Sequence, residues 1–152
     1  MAYSNYEATN MAQEWRRGEF VISTDVHRLD VLFIHSFLSN SSYWGQDRSL
    51  ELVKRSVEHS LNFGLFKATT QIGFARVVTD SATFAWLCDV FILDEHRGRG
   101  LSKWLLEVIT THSQLQGLRR WALMTRDAHE LYRQFGFSEL SQPERYMERR
   151  DS

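Results

Sequence analysis

Residues 90–102 read VFILDEHRGRGLS, and this stretch decides how the rest of the chain is interpreted. Its first four residues are apolar and predict the end of a strand, and its last three open an amphipathic helix. The unpaired amides and the dipole of a helix start favour a bound anion. Gly98 and Gly100 leave the backbone uncovered there, and Arg97 and Arg99 add two cations. The stretch predicts an anion site; a surface turn with two exposed arginines is an equally open alternative.

The two glycines do not match either of the common nucleotide-binding fingerprints. The dinucleotide fingerprint requires a third glycine three residues after the second, but position 103 is a lysine. The phosphate-loop signature of nucleotide hydrolases is also absent from the sequence. The local pattern alone therefore does not identify the anion.

Composition narrows the class of protein. A chain of 152 residues with 43% hydrophobic content is about one domain long and can bury a core. A net charge of -1 argues against a general nucleic-acid or membrane-surface role. Cys88 is the one cysteine, and no Cys/His cluster has zinc spacing, so we expect neither a disulfide nor a metal. No apolar run reaches the roughly 18 residues that a membrane span needs, and we expect a cytoplasmic protein.

The chain shows no internal boundary after its N-terminal segment. Residues 1–17 are polar with isolated aromatic residues and are interpreted as an N-terminal extension. Pro143 is the one proline, and no stretch rich in Pro, Gly or Ser divides residues 18–152. We therefore predict a single domain over 18–152.

Hydrophobic periodicity predicts the order β-α-α-β-β-β-α-β-α-β-β. The predicted strands are 20–23, 63–67, 71–78, 82–93, 121–124, 137–140 and 145–147. Four helices are predicted. They cover 30–38, a segment that begins after an N-cap at Ser49, 100–116, and 127–136, the last with a capping box at Asp127 and Glu130. This order predicts an α/β (α+β) fold, with a mixed, largely antiparallel sheet of six to seven strands and helices on both faces.

A second motif lies at residues 128–137, which read AHELYRQFGF. The earlier stretch matches the pattern Arg/Gln-x-x-Gly-x-Gly/Ala at Arg97 and Gly100, with Ser102 in place of the last small residue. The two motifs occur in order, separated by a helix and a strand, and in this arrangement the chain resembles the GNAT superfamily of N-acetyltransferases over about residues 18–149.

The resemblance implies the GNAT fold, acetyl-CoA as cosubstrate, and direct transfer of the acetyl group to an amine. The cofactor's pyrophosphate would lie on the loop 97–102, and its pantetheine arm would lie along the strand before that loop. The residues that the resemblance assigns to acetyl-CoA are Val90, Phe91, Ile92, Leu93, Arg97, Gly98, Arg99, Gly100, Leu101, Ser102, Thr125 and Tyr132. Thr125 departs from the family pattern, since many members have an asparagine there.

The same resemblance suggests catalytic residues. Tyr132 occupies the position of the family's general acid; the alternative is a tyrosine that only packs. Asp89 lies in an apolar run and is a candidate general base, or equally a carboxylate bonded to an arginine such as Arg76. Cys88 as a nucleophile is the weaker hypothesis, because cysteines are commonly buried as small apolar residues.

The acceptor side is less defined. Family members commonly line the acceptor site with the loop between the first two helices, which here is 39–47. Tyr43 and Trp44 in this loop could form an aromatic wall for an amine, or could anchor the loop to the core. Arg76 and Trp86 are further candidates for the cleft. The acceptor would be a small-molecule or peptide amine.

Two further hypotheses concern a non-catalytic role and the oligomeric state. The chain could be a non-catalytic acyl-CoA-binding sensor or regulatory module, which would need the loop 97–102 but not Tyr132. The late strands could also pair across a homodimer, as they do in related enzymes.

Overall fold

The computed structural model describes residues 11–44 and 46–151, which form a six-stranded sheet with helices on both faces. The strands are β1 (Glu14–Arg17), β2 (Phe20–Ser23), β3 (Leu61–Lys67), β4 (Thr70–Thr79), β5 (Phe84–Ile92) and β6 (Arg120–Leu123). The helices are α1 (Val31–Ser41), α2 (Leu50–Glu58), α3 (Leu101–Thr111) and α4 (His129–Arg133). The strands lie in sequence order; β1 to β5 are antiparallel, and β6 is parallel to β5. The predicted mixed, largely antiparallel sheet is confirmed.

The sheet buries a separate core on each face. On one face α3 packs its apolar stripe, including the fully buried Leu105 and Ile109, against the sheet. On the other face α1 and α2 contribute Ile34 and Val53 to a second core. Since burying one aliphatic side chain of this size is worth about 1.5–3 kcal/mol, these stripes fix the helices more firmly than intrinsic helix propensity does.

Side-chain caps explain where α1 and α2 begin. The carboxylate of Asp30 accepts the amide of Phe33 at 3.0 Å, and the hydroxyl of Ser49 accepts the amide of Leu52 at 3.1 Å. Each cap satisfies an amide that has no partner within its helix. The predicted N-cap at Ser49 is confirmed.

The N-terminal edge of the sheet was not predicted. Glu14–Arg17 forms β1, which joins β2 through a two-residue turn and places Trp15 against Phe63 and His112. Three of its four side chains are exposed, so β1 shows no clear alternation of apolar and polar residues in the sequence. The remainder of the predicted extension, residues 1–10, lies outside the described residues.

The C-terminal segment differs from the prediction. Neither 137–140 nor 145–147 forms a strand, and described residues 137–151 contain one 3-10 turn, Pro143–Arg145. These side chains are exposed apart from Phe137, and the apolar residues that predicted two strands have no sheet partner among the described residues. The sheet therefore ends at β6.

Two helices are shorter than predicted. α3 ends at Thr111, because the chain leaves the helix at His112 and forms the 3-10 turn Ser113–Leu115. α4 begins at His129, and its N-cap makes no side-chain hydrogen bond, so the predicted capping box is wrong. Glu130 instead pairs with Arg133 one turn later. In the described part of the chain, no helix is long and apolar enough to cross a membrane.

Candidate active site

The backbone edge of β5 is open beyond the point where its pairing with β6 ends, and this opening is called the cleft below. The two strands pair in parallel over four residue pairs, from Phe84 opposite Arg120 to Leu87 opposite Leu123. β6 ends at Leu123, whereas β5 continues to Ile92. The second half of β5 therefore has no strand partner on that side among the described residues, and its free edge forms one wall of the cleft.

A β-bulge at Asp89 marks the start of this free edge. Phe74 of β4 lies opposite Phe91, and Arg76 lies opposite Cys88, so two steps on β4 match three steps on β5. Asp89 has a φ of 55°, a left-handed conformation that few residues other than glycine adopt. Asp is among the residues that tolerate it. The extra residue bends β5 and redirects the backbone that follows.

The bulge also exchanges the two faces of β5. Leu87 before the bulge and Ile92 after it pack into the core beneath α3, although they are five residues apart. In a regular strand, residues five apart lie on opposite faces. Phe91 instead lies in the other core, where its ring stacks on Phe37 at 3.8 Å. β5 can therefore place Leu87 and Ile92 in one core and Phe91 in the other only when the bulge is present.

Val90 and Ile92 present their backbone to the cleft. The amide of Leu93 donates to the carbonyl of Ile72 in β4 at 2.9 Å, which fixes the alternation of the antiparallel ladder. By that alternation, Phe91 bonds to β4 and the amide of Ile92 points away from it. Val90 belongs to the bulge itself, at the start of the edge that β6 leaves unpaired. The structure thus brings Val90 and Ile92 to the cleft but not Phe91, whose side chain is also buried.

The loop after β5 exposes the start of α3. Gly98 and Gly100 have φ values of 79° and 74°, and a Cβ added to either would meet nothing within 4 Å. Gly100 is the N-cap of α3 and provides no side-chain cap for the first turn. The first amides of α3 therefore have no side-chain acceptor from the N-cap, at the positive end of the helix dipole, where an anion is favoured.

Two arginines flank this helix start. Arg97 pairs with Asp94 at 3.1 Å, and its Nε donates to the carbonyl of Ile92 at 3.4 Å, at the edge of the cleft. Arg99 is exposed. Because such surface pairs contribute little to stability, both guanidinium groups remain available to a ligand phosphate.

Asp89 is bonded to two arginines. Its side chain is 1% exposed, and Nη1 of Arg48 donates to both carboxylate oxygens at 2.8 and 2.9 Å. Nε of Arg76 donates to the same carboxylate at 2.9 Å, and Nη1 of Arg76 donates to Ser60 at 3.0 Å. This geometry favours the paired carboxylate over the free base, and it commits Arg76 to Asp89 rather than to an acceptor.

Arg48 was missed at the sequence level. It lies in a polar loop one residue before an N-cap, and nothing in its neighbourhood distinguishes it from a solvated surface arginine. The available signal was indirect, since a carboxylate at Asp89 in an apolar run needs charged partners.

Tyr132 lies on α4, half-buried, with its ring edge-on to Phe137 at a centroid distance of 5.9 Å. Burial, together with the nearby Tyr43 and Asp127, raises the pKa of Tyr132 to about 12. The phenol therefore keeps its proton throughout the neutral range and can act as a donor.

Two loops meet beside Tyr132. The hydroxyl of Tyr43, after α1, accepts the amide of Arg126 at 3.0 Å, and the Arg126 guanidinium lies 3.8 Å from the Tyr43 ring centroid. Trp44 lies edge-on to Tyr43 at 5.1 Å. The hydroxyl of Thr125 accepts the amide of Ala128 at 3.0 Å, so it helps to start α4. The predicted aromatic pair thus lies at this junction, with both rings partly exposed.

Trp86 and Cys88 both lie on β5, before Asp89. Trp86 is half-buried opposite Ala122 and lines a groove of about 1050 Å³ that also contacts Thr125 and Tyr132. Residues 89–102 do not line this groove. Burial raises the pKa of the Cys88 thiol to about 11, which argues against a thiolate nucleophile. In the described residues no group of three or more His, Cys, Asp or Glu side chains could hold a metal.

Known acetyltransferases match most of this chain. Residues 61–139 match the family model of the acetyltransferase (GNAT) domain. A protein of Gibberella zeae, named as a candidate acetyltransferase, is 32% identical and is matched over 79% of each chain.

Solved structures give the same result. A candidate GNAT-family acetyltransferase from Xanthomonas campestris pv. campestris is 48% identical, with a TM-score of 0.86 over 90% of this chain and 96% of that one. The fold also matches N-acetylglutamate synthase from Neisseria gonorrhoeae, solved with coenzyme A and N-acetyl-glutamate. That match is 18% identical, with a TM-score of 0.68 over 85% of this chain and 30% of that one. With the parted strands and the open helix start, these matches show that the chain belongs to the GNAT family of acetyltransferases.

Proposed function

We propose that this acetyltransferase transfers the acetyl group of acetyl-CoA directly to a primary amine within a ternary complex. The amine nitrogen bonds to the thioester carbon, the carbon–sulfur bond breaks, the amine loses a proton, and the thiolate gains one. The observation that carries the proposal is the free backbone edge of β5 leading straight into the open start of α3. The protonated thiol of Cys88 argues against an acetyl-enzyme route.

Acetyl-CoA fits along this edge in two parts. The amides of Leu101 and Ser102, flanked by Arg97 and Arg99, would hold the pyrophosphate at the helix start. The carbonyl of Val90 and the amide of Ile92, at the unpaired edge of β5, would pair with the amide groups of the pantetheine arm. This arrangement brings the thioester to the bulge, where the amide of Val90 could stabilise the oxyanion that develops on the thioester carbonyl.

Tyr132 is the proposed general acid. The pKa of about 12 keeps its hydroxyl protonated below that pH, so the donor is available throughout the physiological range. We do not assign a general base: Asp89 is engaged by two arginines, and Nε2 of His35 is hydrogen-bonded to the carbonyl of Arg48 at 2.9 Å. An amine that binds in its neutral form would need no base from the protein.

The proposed acceptor is a small-molecule or peptide amine that enters beside Tyr43 and Trp44. Both rings are partly exposed, and Tyr43 already stacks against the guanidinium of Arg126. Aromatic faces of this kind attract cationic or partly apolar amines.

The proposed reaction predicts release of free thiol when acetyl-CoA is mixed with the protein and a suitable primary amine. A panel of amino acids, polyamines, aromatic amines and peptide N-termini, assayed for thiol release, tests this. If no amine gave release while CoA still raised the melting temperature, the non-catalytic sensor would be the better description.

Replacing Tyr132 by Phe should lower kcat for the amine found in that panel by about 10²-fold, because the thiolate loses its proton donor. The Kd for CoA, measured by calorimetry, should stay nearly unchanged. Tyr146→Phe removes an exposed phenol in the C-terminal segment and is the matched control. Equal kcat in Tyr132→Phe and Tyr146→Phe would show that Tyr132 only packs.

Replacing Gly100 by Val should weaken CoA binding by at least about tenfold, because a β-branched residue strains this left-handed position and covers the helix start. Gly117→Val is the control, since Gly117 has a similar φ of 70° and equally open surroundings but lies beyond α3. Calorimetry with CoA measures both variants. Unchanged affinity in Gly100→Val would contradict the assignment of the loop 97–102.

We also propose that two copies of the chain associate through the C-terminal segment. The outer edge of β6 has no strand partner among the described residues, and the adjoining groove of about 1050 Å³ is open. Apolar side chains of the tail, including Leu140 and Met147, are exposed. An open strand edge beside exposed apolar residues favours pairing with another chain.

A homodimer predicts a mass near twice 17.9 kDa by light scattering after size-exclusion chromatography. Replacing Met147 by Lys should shift the protein toward the monomer, because a charge would be placed at the apolar contact. A wild-type mass that stays at one chain at high protein concentration would contradict the dimer.

A further inference from the structure

Arg48 makes polar contacts to three parts of the molecule: α1, the loop after α1, and the bulge in β5. Its carbonyl accepts hydrogen bonds from His35 at 2.9 Å and Ser39 at 3.4 Å, both on α1. Its Nη2 donates to the carbonyl of Trp44 at 3.3 Å, and its Nη1 holds both carboxylate oxygens of Asp89. One side chain thus bridges the loop after α1 and the bulge in β5.

The Asp89 end of this bridge lies one residue from the proposed oxyanion amide. Asp89 adopts its left-handed φ of 55° with a side chain that is 1% exposed. That conformation is unfavourable for most residues with a Cβ, although less so for Asp, so contacts around it help to fix it. The carboxylate contacts of Arg48 and Arg76 are the observed restraints on it. A change in these contacts would reorient the peptide that leads to Val90.

The Trp44 end of the bridge lies in the proposed acceptor loop. Arg48 reaches the carbonyl of Trp44 from the same guanidinium that holds Asp89. The two aromatic rings of this loop, Tyr43 and Trp44, are partly exposed. A ligand that contacts these rings would contact the same segment that Arg48 restrains.

In the structure the loop between α1 and α2 covers residues 42–49. We propose that Arg48 is a positioning residue that couples this acceptor loop to the orientation of the Val90 amide. The proposal rests on the proposed function, because it assigns the loop to the acceptor and the amide to the thioester carbonyl. Arg48 does not touch the reacting atoms; it transmits the state of the loop to β5 through Asp89. Binding of the amine would thereby stabilise the β5 geometry that the reaction needs.

Arg76 has a different part in the same cluster. It lies on β4, and the hydrogen bonds of its side chain go to Asp89 and Ser60 rather than to the described residues of the loop. Removing Arg48 therefore leaves the buried carboxylate one guanidinium partner, so the chain should still fold.

Hydrogen exchange on the full-length chain tests the coupling directly. In Arg48→Met, exchange should accelerate by at least about tenfold in both the loop 42–49 and the bulge 88–91, because both lose their shared restraint. Arg48→Lys should restore part of the protection at the bulge but not in the loop, since an ammonium cannot reproduce the forked contacts. Arg55→Met, at an exposed arginine of α2, removes the same charge and should change neither segment.

If hydrogen exchange in Arg48→Met accelerated only in the loop 42–49 and stayed unchanged in 88–91, the proposed coupling would be overturned. Equal acceleration throughout the sheet would also overturn it, since that would indicate general destabilisation. This measurement needs no acceptor, so it decides the coupling even if the wild-type protein transfers acetyl groups to no amine and the proposed function fails.

Kinetics with an identified amine supplies the second test. Arg48→Met should raise KM for the amine and lower kcat, each by at least about tenfold, while the Kd for CoA changes by less than about threefold. A purely structural role would weaken CoA binding and amine binding together. Unchanged kcat in Arg48→Met would overturn the proposal.

Discussion

Strands β5 and β6 pair in parallel for four residue pairs and then part, and the candidate site depends on this limit. A parallel pair requires a crossover, here through α3, which must start near the end of β5 and return to the start of β6. The positive end of α3 therefore lies at the same edge of the sheet as the opening between the strands. One topological constraint thus places an anion site and a free backbone edge next to each other.

The bulge adds orientation to this arrangement. A buried carboxylate with two guanidinium partners is weak evidence for stability, because desolvation offsets much of the attraction. Arg48 and Arg76 come from a loop and a strand, and both bind the Asp89 carboxylate while Asp89 holds its left-handed conformation. In this cluster, side chains from a loop and a neighbouring strand hold a backbone geometry in β5.

The sequence indicated those parts of the molecule whose signal is local. The strand-to-helix stretch at 90–102, the helix stripes and the cap at Ser49 follow from periodicity and from unpaired amides. Where the signal is not local, the prediction failed. β1 is an edge strand without alternation, and the apolar tail residues that suggested two more strands have no sheet partner in the part of the chain that the structure describes. Arg48 escaped for the same reason, since its partner is 41 residues away.

The exchange of faces at the bulge makes the length of β5 as important as its composition. Residue 89 cannot be deleted without turning Phe91 toward α3 and Ile92 toward Phe37. Either misplacement would empty one core and overfill the other. A single-residue deletion in β5 would therefore disturb both cores at once.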